Sequence, residues 1–311
     1  MPPDVMAPTA SKAPPAASAS QRDATDLRNL ESGLDSLQTD VVTGRTRLRR
    51  VLDGVVPPIF LVAVSLLGWQ LVTVIAHPRP DLAPGPLDVL AAITSAWESG
   101  RLQEAVLTSL ERGVIGFLVA VAIGTPLGLL LAEVRWFRRA LGPLVSGLQV
   151  LPSVAWVPAA ILWFGLTDAT VYFVVLMGAA PSIANGLVSG VDQVPTQLRR
   201  VGTVLGASRI QLAMRVILPA ALPGYVAGLK QGWAFSWRSL MAAEIITVGG
   251  SIRFGLGAML QQSRELTDLA AVLTTILTIL AIGVLVELVA FAPVERRLLR
   301  RRGLLVTAGR R

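Results

Sequence analysis

The chain has 311 residues, 53% of them hydrophobic and only 15% charged, with no cysteine, one histidine (His77) and a formal net charge of +8. Soluble domains run about 45–50% apolar and about 25% charged, so both fractions shift toward the membrane class. Zero cysteines exclude disulfides, thiolate metal sites and thiol nucleophiles, and a single histidine excludes a His-x-x-x-His metal pair, so catalysis by the usual residues is poorly supported and no cofactor is expected.

Residues 1–50 begin rich in Pro, Ala and Ser and then mix charges with polar residues, the composition of a disordered tail. No apolar stretch follows the start within about 30 residues, so this is not a signal peptide. A bilayer core of about 30 Å needs about 20 apolar residues in a helix. Six segments meet that length: Val55–Ala76, Gly113–Ala132, Leu141–Leu166, Ala169–Val191, Leu222–Val248 and Leu269–Phe291. The expected fold is an all-α polytopic membrane protein with six transmembrane helices over 51–302 and a short tail at 303–311. Between the first two spans, prolines 78, 80, 84 and 86 precede an amphipathic helix expected from Pro86 to Trp97.

In span two, Gly124, Pro126 and Gly128 lie in an apolar run and suit close helix packing. Span three carries Pro152 and Pro158 with Gln149, Ser153 and Trp156 nearby, and Pro152 falls near mid-depth if the span is helical. Backbone groups freed by proline must be satisfied in protein or at water, so this span faces either the bundle or a cavity. Ser182, Asn185 and Ser189 put polar groups on span four, where interhelical hydrogen bonds are the favoured reading. In span five, Lys230, Trp233, Trp237, Met241 and Glu244 share one helical face with Arg238 beside it. Ionisable groups inside spans are costly and turn to the bundle interior or to water. The candidate translocation path is therefore Gln149, Pro152, Ser153, Trp156, Trp237, Arg238 and Glu244.

With the N-terminus inside, 21 of the 28 Lys and Arg residues fall on the inner side and five on the outer side, which places both termini in the cytoplasm. The segment between spans four and five, 195–219, then lies inside. Thr196–Leu205 suits a helix, Gly206 suits a C′ glycine, and Ser208-Arg209-Ile210-Gln211 matches a capping box opening a second helix that Pro219 is expected to end. The product is a cytoplasmic helix-turn-helix knob.

Gly206, nine residues and Val216-Ile217-Leu218-Pro219 resemble half of the EAA loop of bacterial ABC importer permeases. Val204–Ser208, Leu218–Pro223, Leu151–Pro158 with Ile161–Gly165, and Trp237–Glu244 are similar to the nitrate, sulfonate and taurine branch, and together the resemblance covers roughly 82–302. By spacing from Gly206, the Glu-Ala-Ala triplet falls on Arg200-Val201-Gly202, so the acidic residue is absent. The resemblance makes Arg200, Val201, Gly202, Gly206, Ala207, Ser208, Gln211, Leu218 and Pro219 the ATPase-coupling loop. It implies a second permease copy, two ATP-binding subunits and an extracytoplasmic solute-binding protein, with membrane lipid around the spans and no nucleic acid. The chain has no Gly-x4-Gly-Lys-Ser/Thr loop, and its two lysines, Lys12 and Lys230, do not follow glycine, so ATP hydrolysis is assigned to another chain. The implied function is import of a small anion. A secondary transporter or channel with Lys230, Arg238 and Glu244 as an ion relay is the second reading, and a membrane enzyme lacks a nucleophile or metal constellation.

Overall fold

The computed structural model describes residues 47–76 and 83–301. The expected tails lie outside these residues except for 47–50, which form the first turn of a helix. All regular structure among the described residues is helical: α1 (Arg47–Ala76), α2 (Pro86–Glu98), α3 (Arg101–Glu133), α4 (Arg135–Val150), a 3-10 turn (Ser153–Trp156), α5 (Val157–Phe164), α6 (Asp168–Asp192), α7 (Thr196–Val204), α8 (Arg209–Ile246), α9 (Leu256–Glu265) and α10 (Leu269–Arg300). Contacts divide the chain after Leu67, so the first unit contributes the beginning of α1 and the second, from Gly68, contributes the remainder.

Four helices, α3, α6, α8 and α10, are long and apolar enough to cross a membrane, and the α4–α5 pair makes up to five. Apolar residues in α1 run over Phe60–Ile75. The six-span count expected from sequence is therefore represented here by four or five such helices among the described residues. Span three differs from expectation in form, because its helix stops at Val150 and α5 departs at 100°. Pro152 has no amide hydrogen to continue the ladder, and Pro158 opens α5 where that loss costs nothing. A second correction concerns Pro219, which does not end a helix. The chain passes from Arg209 to Ile246 through a π-helical turn at Ala213–Ile217, and Pro219 sits at the start of the following α-helical stretch, where a missing amide is tolerated.

Helix α6 is the axis of the bundle, and its interfaces with α8 and α3 are the most extensive. In a membrane, lipid tails are as apolar as leucine, so helices associate by close packing more than by hydrophobic exclusion. Gly186 and Gly190 on α6 face Gly228 and Gly224 on α8. A Cβ on Gly228 would lie 2.6 Å from the Gly186 Cα, and one on Gly224 would lie 2.5 Å from the Gly190 Cα. On the opposite side of α6, added Cβ atoms on Gly124 and Gly128 of α3 would meet the carbonyl oxygens of Ala180 at 2.8 Å and Ala184 at 2.9 Å. The packing role expected for Gly124 and Gly128 is thus borne out.

Because backbone atoms cannot step aside, Gly228→Ala should force α6 and α8 apart at a cost of about 1–3 kcal/mol or more. Gly147→Ala is the control, since its added methyl meets nothing within 4 Å. Thermal stability in detergent should fall for the first variant and hold for the second; equal melting would show that the glycine seam does not set the helix spacing.

Candidate functional site

The knob is built as the sequence spacing requires. Helix α7 closes in a Schellman arrangement, with Ala207 N–H bonded to the Gly202 carbonyl at 3.1 Å and Gly206 N–H to that of Thr203 at 3.0 Å. Gly206 has φ +77°, a region that favours glycine. Ser208 then caps α8: its hydroxyl accepts from Gln211 N–H at 3.3 Å, and the Gln211 side chain accepts from Ser208 N–H at 3.0 Å. Gly202 is buried under Leu212, which holds the two helices together. Arg200 is exposed, and Val201, Val204, Leu205, Ile210 and Met214 form an exposed apolar crest. Ala207 is half-buried in the turn, while Leu218 and Pro219 lie at the root of the knob.

The candidate path residues separate into two groups. Gln149, Pro152, Ser153 and Arg238 line a cavity of about 300 Å³ where α4 breaks, together with Gly178, Phe235 and Ala242. Ser153 and Ser239 share a hydroxyl–hydroxyl hydrogen bond of 2.6 Å. The Gln149 amide donates to Ser182 at 3.1 Å and accepts from Asn185 at 2.7 Å, which bears out interhelical hydrogen bonding by span four. Gln149 also lines a second cavity, about 460 Å³, with Ser182, Asn185, Ser189, Gln193 and Gln231 and no charged side chain. Trp156, Trp237 and Glu244 lie elsewhere. Trp156 packs edge-on against Phe173. Trp237 is buried, stacks on Trp233 and donates its indole N–H to the Ile279 carbonyl at 3.2 Å.

Glu244 belongs to a buried ionic cluster that sequence reading missed. Arg112 of α3 is fully buried and donates Nε–H to Asp168 at 2.8 Å, one terminal N–H to Glu244 at 3.0 Å and another to the Arg253 carbonyl at 2.9 Å. The other Glu244 oxygen accepts from Ser109 Oγ at 2.7 Å and from Gly257 N–H at 2.9 Å, and Ser109 Oγ accepts from Leu256 N–H at 2.8 Å. One cation therefore ties α3, α6, α8 and the loop before α9. In the sequence Arg112 reads as one of the five outer-side charges just before the span at Gly113, because no residue near it marks it as buried. In that loop Arg253 pairs with Glu111, whose hydrogen bond raises the guanidinium above its ordinary value.

The charges of α8 are thus distributed among different partners. Lys230 pairs with Glu287 at 2.5 Å and Glu295 at 3.6 Å on α10. Arg238 is exposed; its Nε–H donates to the Ala234 carbonyl at 3.1 Å and its guanidinium lies 4.9 Å from the Phe235 ring centre. Among the described residues no carboxylate pairs with it. No group of three or more His, Cys, Asp or Glu among those residues could hold a metal ion.

Residues 124–298 match the family described as binding-protein-dependent transport system inner membrane component. The chain belongs to that family. It is an ABC transporter permease of the binding-protein-dependent import class, a multi-pass membrane subunit and not an enzyme. The permease is 31% identical over 241 residues to the taurine transport system permease protein of Escherichia coli, covering 76% of this chain and 86% of the relative. It is 28% identical over 256 residues to the bicarbonate transport system permease protein of Synechococcus elongatus, covering 79% and 90%. Against the nitrate import permease protein of Synechocystis sp. the identity is 26% over 242 residues, covering 75% and 86%. Among solved structures, the inward-facing MetNI methionine ABC transporter superposes with a TM-score of 0.53 at 21% identity, over 63% of this chain and 95% of that one, which shows a shared fold.

Removing one partner from a buried ion pair costs about 3–5 kcal/mol because the other charge is left unpaired. Arg112→Met strands both Glu244 and Asp168 and should be the most damaging single change. The double replacement Arg112→Met with Glu244→Met leaves only Asp168, whose side chain is 37% exposed, and should recover part of the lost melting temperature. A double variant less stable than Arg112→Met alone would show that Glu244 does not need the guanidinium.

Proposed function

We propose that the permease moves a small anion, such as an aliphatic sulfonate, taurine or nitrate, into the cytoplasm, powered by two separate ATP-binding subunits that dock on the knob. The observation that carries this reading is the knob itself. A Schellman turn and a complete capping box fix the short helix α7 against the first turns of α8, and these present an apolar crest with no cover among the described residues. An exposed apolar patch of this kind, rimmed by Arg200 and Arg209, suits a protein partner. An external solute-binding protein would deliver the anion, and a second permease copy would complete the passage as a homodimer.

The anion reading is supported by Arg238. Lys230 is neutralised on α10, which leaves Arg238 as the cation of the Leu218–Ile246 stretch of α8 without a carboxylate partner among the described residues. Relatives named for taurine, nitrate and bicarbonate transport share an oxyanion group in those solutes, taurine carrying its sulfonate beside an ammonium. An ion relay through Lys230, Arg238 and Glu244 gains no support, because Lys230 is tied to α10 and Glu244 to Arg112.

In the absence of cysteine, Ser251→Cys should react with an impermeant thiol reagent from outside and Ser208→Cys from inside; labelling of the second from outside would reverse the orientation and remove the knob from the cytoplasm. For docking, Gly206→Val places a side chain where φ is positive, a strain of about 1–2 kcal/mol, and Arg200→Glu reverses an exposed charge. Both should lower co-purification of the cognate ATPase and ATP-dependent uptake, the first more than the second. Full ATPase recovery and uptake with both variants would mean that the knob is not the coupling element.

A further inference from the structure

The geometry points to an anion dwell site within the permease itself, at the break between α4 and α5, formed by Arg238, Gln149 and Ser153. It rests on the anion reading and adds that the chain holds the solute in transit instead of only opening a passage. Three independent features meet at this place. First, Arg238 lines a cavity of about 300 Å³, room for a small oxyanion and a few waters. An ionised guanidinium inside a span is costly in lipid and must meet water, a partner charge or a bound anion. Its Nε–H is used on the Ala234 carbonyl, which aligns the planar fork while both terminal nitrogens lack partners among the described residues. A planar fork of this kind matches the two oxygens of a carboxylate, sulfonate or nitrate edge.

Second, the neutral groups in the lining are oriented by their own hydrogen bonds. Gln149 accepts from Asn185 and uses one of its two amide hydrogens on Ser182, so the second is available as a donor. Ser153 is held by Ser239 across the cavity wall. Third, the broken span puts this polar set against Gly178, where a side chain would collide with Ser239, so the cavity floor is backbone. The adjoining 460 Å³ cavity, lined by amides and hydroxyls without charge, can hydrate an anion but offers no cation to retain it. One charge at one level makes the site weak, as a transit site must be if the solute is to leave.

The test uses the permease assembled with its ATPase in lipid nanodiscs and a single reporter thiol, Ala242→Cys, which lines the cavity outside the polar set. An anionic sulfonatoethyl methanethiosulfonate should modify this thiol about tenfold faster than the cationic trimethylammonium-ethyl reagent, after correction for intrinsic rates. Millimolar methanesulfonate or nitrate should slow that reaction. Arg238→Gln should abolish both the charge preference and the protection, whereas Arg238→Lys should keep the preference; ATPase co-purification with each variant reports intact assembly. Equal rates for the two reagents, a preference that survives Arg238→Gln, or a preference for the cationic reagent produced by an acid of the second copy would each overturn the site. Binding-protein-dependent and ATP-dependent uptake separates the two levels of inference: uptake of an oxyanion-bearing solute without a charge preference at Ala242→Cys defeats the dwell site alone, and uptake only of solutes that lack an oxyanion group defeats the anion reading with it.

Discussion

The architecture depends on how closely α6 can be approached from both sides. With no hydrophobic force to drive helices together inside lipid, the bundle relies on contact area and backbone proximity. Glycines provide this at two seams, Gly186 and Gly190 against Gly228 and Gly224, and Gly124 and Gly128 against the Ala180 and Ala184 carbonyls. Once α3, α6 and α8 are set at that spacing, the positions of all other groups follow. Gln149 reaches both Ser182 and Asn185 because α4 packs on the same helix, where Val145 is buried beside Leu131 and Ala184.

Charge is then partitioned along the bundle by what each group can find. At the Asp168 end of α6, Arg112 and Glu244 lose nearly all contact with solvent, a state tolerated because all three guanidinium nitrogens and both carboxylate oxygens are hydrogen-bonded. Further along α8, Lys230 meets two glutamates on α10 and stays half exposed. Arg238 has neither burial nor an acid among the described residues, so its charge is directed to the cavity beside it. The three charged residues of the Leu218–Ile246 stretch therefore have three different fates, which their shared residence on α8 does not reveal.

Local rules explain what could be read in the sequence. Gly206, Ser208 and Gln211 act within a few residues of one another, and their turn and cap form as their spacing requires. Apolar runs likewise located α3, α6, α8 and α10. Interactions between distant residues were not legible: Arg112 and Glu244 are 132 positions apart, and nothing local distinguishes a buried arginine from one that retains a topology. The Gly-x3-Gly repeats at 186–190 and 224–228 were in plain view, but only pairing in space shows that they face each other. Proline was the least transferable signal. Pro152 accompanies a 100° break, while Pro219 passes into a continuous helix because a π turn precedes it.

That π turn matters for how the knob relates to the rest of α8. From the cap at Ser208 to Ile246, α8 is one helix, and at about 1.5 Å per residue its 38 residues extend about 57 Å. Its near end carries the knob, its middle is held against α6 at Gly224 and Gly228, and its far end is locked through Glu244 to Arg112. Arg238 lies between the glycine seam and that lock. A displacement at the knob can be absorbed in the wider π turn at Ala213–Ile217 or transmitted along the rod, but the backbone contacts at Gly186 leave little freedom for sliding. The glycine seam and the Arg112 cluster thus fix α8 at two points, and Arg238 stands on the stretch between them.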